Sequence, residues 1–240
     1  MQEHGLVIFH IPGIPDFITN TWVVMAIILF VAYKLSQNLD LFPKNKFLLA
    51  IESLYKFFKD LLNQTLGKEK AKKFLPYFFA LFIFILCMNL WGLIPGAVQP
   101  TSNINTTLAL AILSFILYHA SGIKFQGIIN YIKHFLSGPK WLIPLMLPVE
   151  IISHFARIIS LSFRLFGNMF GDEMIVLILF TIFPLVLPLL GMLIVFGNSF
   201  LQAFIFVMLS IIYVALAVHH HHEEKEKEKE KENVPDIDLA

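Results

Sequence analysis

Residues 148–173, PVEIISHFARIISLSFRLFGNMFGDE, decide the fold class, because they place charged side chains inside an otherwise apolar helical segment. On a helix of 3.6 residues per turn, the main polar residues of this stretch lie within about 40° of Glu150. They are His154, Arg157, Arg164, Asn168 and Asp172. A polar stripe through an apolar helix is typical of a membrane protein, where it faces the bundle interior or a water-filled cavity.

Arg164 is the member of this stripe that most needs a partner from elsewhere. The residues three and four positions away from it are Ser160, Leu161, Gly167 and Asn168. None of them is an acid, and an Arg at the centre of a membrane helix costs about 2.5–3.5 kcal/mol. We therefore expect its counter-charge to come from another helix, another subunit or water. Arg157 differs, because Glu150 and His154 lie close enough on the helix to satisfy it locally.

The composition of the whole chain agrees with a membrane location. Of its 240 residues, 57% are hydrophobic and 15% are charged, against about 25% charged in soluble domains. The mean hydropathy of +0.73 argues against a soluble enzyme and against a disordered chain. The net charge of +1 provides no basic field for nucleic acid. The single cysteine, Cys87, excludes a disulfide framework and a cysteine-rich metal site.

Five apolar segments are long enough to approach or exceed one bilayer crossing. They are residues 17–33, 74–94, 108–122, 142–183 and 185–218. Since backbone polar groups in lipid must be paired internally, we predict an all-α polytopic membrane protein with about five transmembrane helices. We assign 1–218 to a single membrane domain and 219–240 to a solvated tail rich in His, Glu and Lys.

The last two segments are longer than a bilayer requires. The 36 residues from Pro148 to Phe183 would form a helix of about 54 Å, against about 30 Å of hydrocarbon. The sequence predicts either a break near Gly167 and Gly171 or a strongly inclined helix.

The lysines predict both a surface helix and an orientation. Residues 43–66 alternate apolar and basic positions at helical spacing, which favours an amphipathic helix on the membrane surface, with an ordinary packing helix as the alternative. Residues 1–33 contain no Lys or Arg, whereas 34–73 contain nine Lys and the 124–140 connector three more. Because basic loops favour the cytoplasm, we expect the N-terminus outside and the C-terminus inside. With no segment resembling a transit peptide, we expect a bacterial inner membrane.

Several runs, in order, resemble subunit a of the F-type ATP synthases, the membrane stator beside the rotating c-ring. The run SLSFRLFGNMFGDE (160–173) resembles the signature of that family, and LQAFIFVMLSIIYVALA (201–217) resembles its C-terminal signature. The supporting runs are NLWGLIPG (89–96), PTSNINTTLALAI (100–112) and GIKFQGIINYIKHF (122–135). The resemblance covers about residues 15–218.

The resemblance implies a mechanism in which Arg164 is the essential arginine. Two aqueous half-channels meet a ring carboxylate near it, and an ion, expected to be a proton, enters by one and leaves by the other. Family positions on this path correspond to Asn168, Glu173, Gln202, Glu150, Asn103 and Tyr213, to which we add Asp172 and His154. The implied partners are the c-ring, b-type peripheral stalk subunits, the F1 sector and the bilayer. No nucleic acid, cofactor or metal is expected. The chain has no P-loop, so we expect it to be a non-catalytic subunit that binds no nucleotide itself.

Two positions depart from the family pattern. Some members carry a histidine seven residues before the glutamine, where this chain has Val195, and an acid where it has Asn103. Fewer ionisable groups therefore line the entrance of the outer half-channel. We expect Glu173 and Asp172 to take over more of that role.

Two other classes of protein remain as alternatives. A secondary transporter would also contain intramembrane charge, but such folds usually show internal repeats, and we find none. A structural membrane anchor would not need Arg164 in an apolar helix.

Overall fold

The computed structural model describes residues 11–37, 46–94, 96–128, 143–182 and 187–232. The helices are α1 (Asp16–Gln37), α2 (Lys46–Leu66), α3 (Lys68–Trp91), a short 3-10 helix (Pro100–Ser102), α4 (Ile104–Gln126), α5 (Ile143–Ile182) and α6 (Leu187–Glu232). In these ranges there is no strand. Five of the helices, α1, α3, α4, α5 and α6, are long and apolar enough to cross a membrane. The predicted all-α polytopic architecture is confirmed.

Several helices extend beyond the apolar segments that indicated them. α3 begins at Lys68 rather than at residue 74, because the lysine-rich turns before its apolar part are helical as well. α4 begins at Ile104, where the side chain of Asn103 caps it by accepting a hydrogen bond from the N–H of Asn105 at 3.0 Å. Hydropathy marks the part of a helix that can sit in lipid, whereas caps and charged turns determine where the helix ends.

Of the two conformations predicted for the long fourth segment, the structure contains the unbroken one. α5 is a single helix of 40 residues that passes through Gly167 and Gly171 without interruption. At 1.5 Å per residue it is about 60 Å long, which exceeds the hydrocarbon thickness roughly twofold. α6 is also uninterrupted and continues through the histidine run to Glu232.

The core lies where α3, α4, α5 and α6 meet. α4, α5 and α6 pack pairwise, and α3 packs along α6. The largest fully buried apolar side chains of this core are Phe78, Ile85, Met88, Leu165, Met169, Phe206, Val207 and Ile211. The outer faces of α5 and α6 expose large apolar side chains, among them Ile152, Phe163, Leu177, Leu193 and Leu201. Such a surface requires lipid or another protein to cover it.

α2 buries one face against α3 and α6. Phe58, Leu62 and Leu66 are buried, while Phe47 and Phe57 on the other sides remain exposed. Gly67, with φ of +79°, forms the turn into α3, a conformation that favours glycine. α2 corresponds to the predicted amphipathic helix, and it packs against the bundle while its basic side stays open. Residues 43–45, most of the 124–140 connector and residues 1–10 and 233–240 lie outside the described residues.

Candidate functional site

Arg164 lies near the middle of α5 on its outer face. Its side chain is exposed, whereas its neighbour Leu165 is completely buried in the core. Phe163 and Ile159 beside it are also more than half exposed, at 56% and 53%. Among the described residues, no hydrogen bond or ion pair reaches the guanidinium. This charge therefore stands on an apolar surface with no partner from the described part of its own chain.

The helix surface next to Arg164 carries small residues at two positions. A Cβ added at Gly167 would meet nothing within 4 Å, and Ser160, one turn away, is small and exposed. The helix thus offers space on the side from which a neighbouring subunit could approach the guanidinium.

Asn168 and Gln202 join α5 to α6 one turn from Arg164. Asn168 Nδ2 donates to Gln202 Oε1 at 2.7 Å. Gln202 is only 1% exposed, and its Nε2 has no hydrogen-bond partner in the described structure. A buried N–H left unpaired costs about 1–3 kcal/mol, so this amide is suited to donate to a water molecule or a passing carboxylate.

An acidic cluster lies two turns beyond Arg164. Asn198 Nδ2 of α6 donates to Asp172 Oδ2 at 2.6 Å, and Asp172 is 7% exposed. Asp172 and Glu173 line a cavity of about 70 Å³, together with Gln99 and Val195. The cavity is well above the roughly 10–15 Å³ that one water molecule needs, so it has room for water. α5 is regular here, which keeps Glu173 off the Arg164 stripe and beside this cavity.

A buried amide network supports the wall of this cavity and had no counterpart in the sequence predictions. Asn89 Nδ2 of α3 donates to the carbonyl oxygen of Ser199 at 3.2 Å, and Asn89 Oδ1 accepts from Thr101 Oγ1 at 2.8 Å. Gln99 Nε2 donates to the carbonyl oxygen of Asn89 at 3.2 Å. A Cβ at Gly92 would lie 2.7 Å from Gln99 Oε1, so only glycine allows this approach. The network fixes α3, the 3-10 helix and α6 relative to one another.

Arg157 is placed differently from the sequence expectation. Local satisfaction by His154 and Glu150 was expected, but the guanidinium instead lies 5.8 Å from the ring centroid of Tyr118 and 5.4 Å from that of Tyr213. Its Nη1 is also 3.5 Å from Tyr118 Oη. Arg157 thus bridges α4 and α6, because tyrosines from both helices flank it and Glu150 lies two turns away.

His154 belongs to an aromatic cluster between α4 and α5. Its ring centroid lies 5.3 Å from that of His119 and 5.5 Å from that of Tyr118. His154 is 7% exposed. A small cavity of about 10 Å³ adjoins this cluster, lined by Tyr118, Arg157 and Tyr213 among others, which is near the lower limit for one water molecule. The sequence did not single out His119, since it stands alone in an apolar helix.

The structure brings some of the residues singled out from the sequence together and leaves others apart. Asn168 meets Gln202, Asp172 adjoins Glu173, and Tyr213 meets Arg157. Asn103 serves as the cap of α4, and Glu150 is half-exposed near the start of α5. In the described part of the chain, no three side chains of His, Cys, Asp or Glu approach closely enough to hold a metal ion.

Comparisons with known proteins agree with the resemblance seen in the sequence. The chain matches the family described as "ATP synthase A chain" over residues 18–215. It is 43% identical over 202 residues to a protein named ATP synthase subunit a from Geotalea daltonii, covering 84% of this chain and 87% of that protein. It is 39% identical over 205 residues to proteins of the same name from Helicobacter pylori strain P12 and Helicobacter acinonychis, covering 83% of this chain and 89% of each relative. The predicted resemblance is confirmed.

Proposed function

The chain belongs to the ATP synthase A chain family, and on that premise we propose that it translocates ions, specifically protons, at an interface with the c-ring of a rotary ATP synthase. Family membership and the apolar helices make it a multi-pass membrane protein and a component of the membrane sector of that complex.

The observation that carries the proposal is the guanidinium of Arg164 on the outer face of α5, which has no partner among the described residues. Arginine keeps its charge at any physiological pH. A cation this close would lower the pKa of an approaching carboxyl group and drive off its proton. A ring carboxylate would therefore lose its proton at Arg164 and stay ionised until it had passed.

Polar groups on either side of Arg164 fit two separate half-channels. Asp172 lies eight residues beyond it, about 12 Å along the helix, and His154 lies ten residues before it, about 15 Å. The Asp172 and Glu173 cavity would serve the outer path, and the side chains of His154 and Tyr213 the inner one. Glu150 would lie at the inner entrance.

Asn168 and Gln202 would complete the outer path close to the ring. The unpaired Nε2 of Gln202 can donate to water, and its Oε1 is held by Asn168. A buried amide that is half satisfied favours a water molecule at this point rather than a dry contact. This water would lie between the acidic cavity and Arg164.

Arg164 would also insulate the two paths from each other. An ionised carboxylate cannot cross lipid cheaply, so the ring can turn only with protonated sites facing the bilayer. A site that remains protonated cannot pass the guanidinium, since it would be deprotonated there. A proton can therefore reach the second half-channel only by travelling around with the ring, and it cannot pass directly from one half-channel to the other at Arg164.

The orientation and the other partners belong to the same proposal. With the N-terminus outside a bacterial inner membrane, the Asp172 end of α5 faces the exterior and the Glu150 end the cytoplasm. The basic side of α2 and the end of α6 then face the cytoplasm, where b-type stalk subunits and the F1 sector would assemble. We place no nucleotide site in this chain.

Proton pumping driven by ATP in reconstituted vesicles tests the proposal. Arg164→Ala should abolish pumping while the complex still assembles. Arg164→Lys should fail as well, because lysine lacks the planar fork and can deprotonate when buried. Pumping near the wild-type rate by Arg164→Ala would overturn the proposal. Pumping that requires Na⁺ would be compatible with the proposed path, but it would show that the transported ion is Na⁺ and not a proton.

A further inference from the structure

A basic groove lies between α2 and α3, outside the ion path. Its volume is about 600 Å³, within the range typical of ligand sites. Among the residues that line this groove are Tyr55, Lys59, Asp60, Lys68, Lys72 and Leu75.

The groove carries uncompensated positive charge. Lys59, Lys68 and Lys72 face a single acid, Asp60, and none of the three lysines forms an ion pair among the described residues. By contrast, Lys56 on the same helix as Lys59 is paired with Glu52 at 3.0 Å. Three ammonium groups around one cavity with one carboxylate make a site for an anion.

The groove lies at the level where α3 enters the membrane. The apolar part of α3 begins at Phe74, directly after the lysine-rich turns that start at Lys68, and Leu75 is buried on the groove floor at 5% exposure. The last turn of α4 ends at the same level, because Lys70 and Lys73 reach the ring of Phe125 at 5.5 and 5.9 Å. The groove is thus cationic towards the water and apolar towards the bilayer.

We propose that this groove binds an anionic phospholipid from the leaflet in which α3 begins. Lys59, Lys68 and Lys72 hold the phosphate, and the first part of the acyl chains lies against Leu75 and Tyr55. Basic pockets between helices at the membrane surface suit such headgroups. An acidic protein segment would satisfy the lysines too, but it would leave the apolar floor without a matching group. Asp60 is available to accept a hydrogen bond from a headgroup hydroxyl.

Photolabelling of the intact ATP synthase complex in mild detergent tests this site. The probe is a phosphatidylglycerol with a photoreactive group near the head of its acyl chain, and labelling of residues 55–75 is quantified by mass spectrometry. Each lysine near an anionic surface contributes about fivefold in affinity. The triple variant Lys59→Gln, Lys68→Gln, Lys72→Gln should therefore lose labelling by on the order of a hundredfold.

A matched variant separates the groove from general surface charge. Lys46→Gln, Lys56→Gln, Lys124→Gln removes the same charge from lysines that do not line the groove, and it should label like the wild type. A phosphatidylcholine probe should label weakly, and excess inorganic phosphate should not displace the lipid. If the triple groove variant fails to assemble, Lys68→Gln alone should reduce labelling about fivefold.

Four results would overturn the lipid site. The first is unchanged labelling in the groove variant, and the second is an equal loss in the matched variant. The third is displacement by inorganic phosphate alone, which would assign the groove to a free anion. The fourth is loss of a neighbouring subunit from the groove variant with labelling retained, which would assign it to an acidic protein segment.

Discussion

The two arginines of α5 lie seven residues apart on one helix, yet their surroundings differ completely. Arg157 is held between Tyr118 and Tyr213, while Arg164 is exposed and meets no partner in the described chain. An arginine fixed between two aromatic rings stabilises helix packing. An arginine left open on an apolar surface is available to a group from another subunit.

At the scale of single residues, Arg157→Gln should cost stability rather than coupling. The variant loses two cation–π contacts, each of about 0.5–2 kcal/mol, that join α5 to α4 and α6. Thermal unfolding of the complex should begin at a lower temperature, and the assembled fraction should still pump protons per ATP like the wild type. An assembled Arg157→Gln complex that hydrolyses ATP without pumping would show that the roles of the two arginines are assigned wrongly.

Glu173→Gln should slow proton-driven ATP synthesis several-fold and leave assembly intact. Glu173 lines the cavity beside Asp172, and its neutral replacement would no longer exchange protons there. The effect should be largest at low driving force, where entry into the outer path limits the rate. Unchanged synthesis at low driving force would count against a hydrated path at Glu173. Glu69→Gln, an exposed acid in the first turn of α3, is the matched control and should have no effect.

At the scale of helices, Asn89→Ala should destabilise the contact between α3 and α6. The substitution removes the bond to the Ser199 carbonyl and leaves Thr101 Oγ1 without its acceptor at a fully buried position. We expect a loss of about 1–3 kcal/mol, measured by denaturant unfolding in detergent. Asn105→Ala removes an exposed amide side chain from α4 and should be nearly neutral. Equal stability of the two variants would mean that the buried network contributes little.

Helix existence could be predicted from the sequence, but the contacts between helices could not. Apolar length indicated the spans, since about 20 such residues suffice to cross a bilayer. The stripe from Glu150 to Asp172 followed from helical period alone. By contrast, Arg157 finds its tyrosines 39 and 56 residues away, and Asn89 bonds a carbonyl 110 residues away. Periodicity carries no information about such distant pairs.

The local sequence of α5 is compatible with either a broken or a continuous helix. Glycine lowers helix propensity by about 1 kcal/mol, so Gly167 and Gly171 made a break plausible. In the structure the helix continues through both glycines, and it packs against α4 and α6. Contacts with other helices, which the local sequence does not reveal, can override the low helix propensity of glycine.

For the chain as a unit in the membrane, the lysine distribution predicts the orientation. A cysteine introduced at Gly5 should be labelled from outside intact cells, and one at Pro235 only after the membrane is opened, both in a Cys87→Ala background. The reason is that the lysine-rich segments 34–73 and 124–140 favour the cytoplasm. Labelling of position 235 from outside would reverse the orientation, and with it the assignment of the outer and inner half-channels.

Proton leakage through the complex with rotation arrested tests most directly whether Arg164 separates the two half-channels. Vesicles carrying the complete complex are given a pH gradient while nucleotide turnover is inhibited, so that the ring cannot complete a turn. The wild type should hold the gradient, because a protonated ring site cannot pass Arg164. Arg164→Ala should dissipate it, since ring sites could then shuttle between the paths, whereas assembled Arg157→Gln should hold it like the wild type. An Arg164→Ala complex that holds the gradient as well as the wild type does would contradict this role of Arg164.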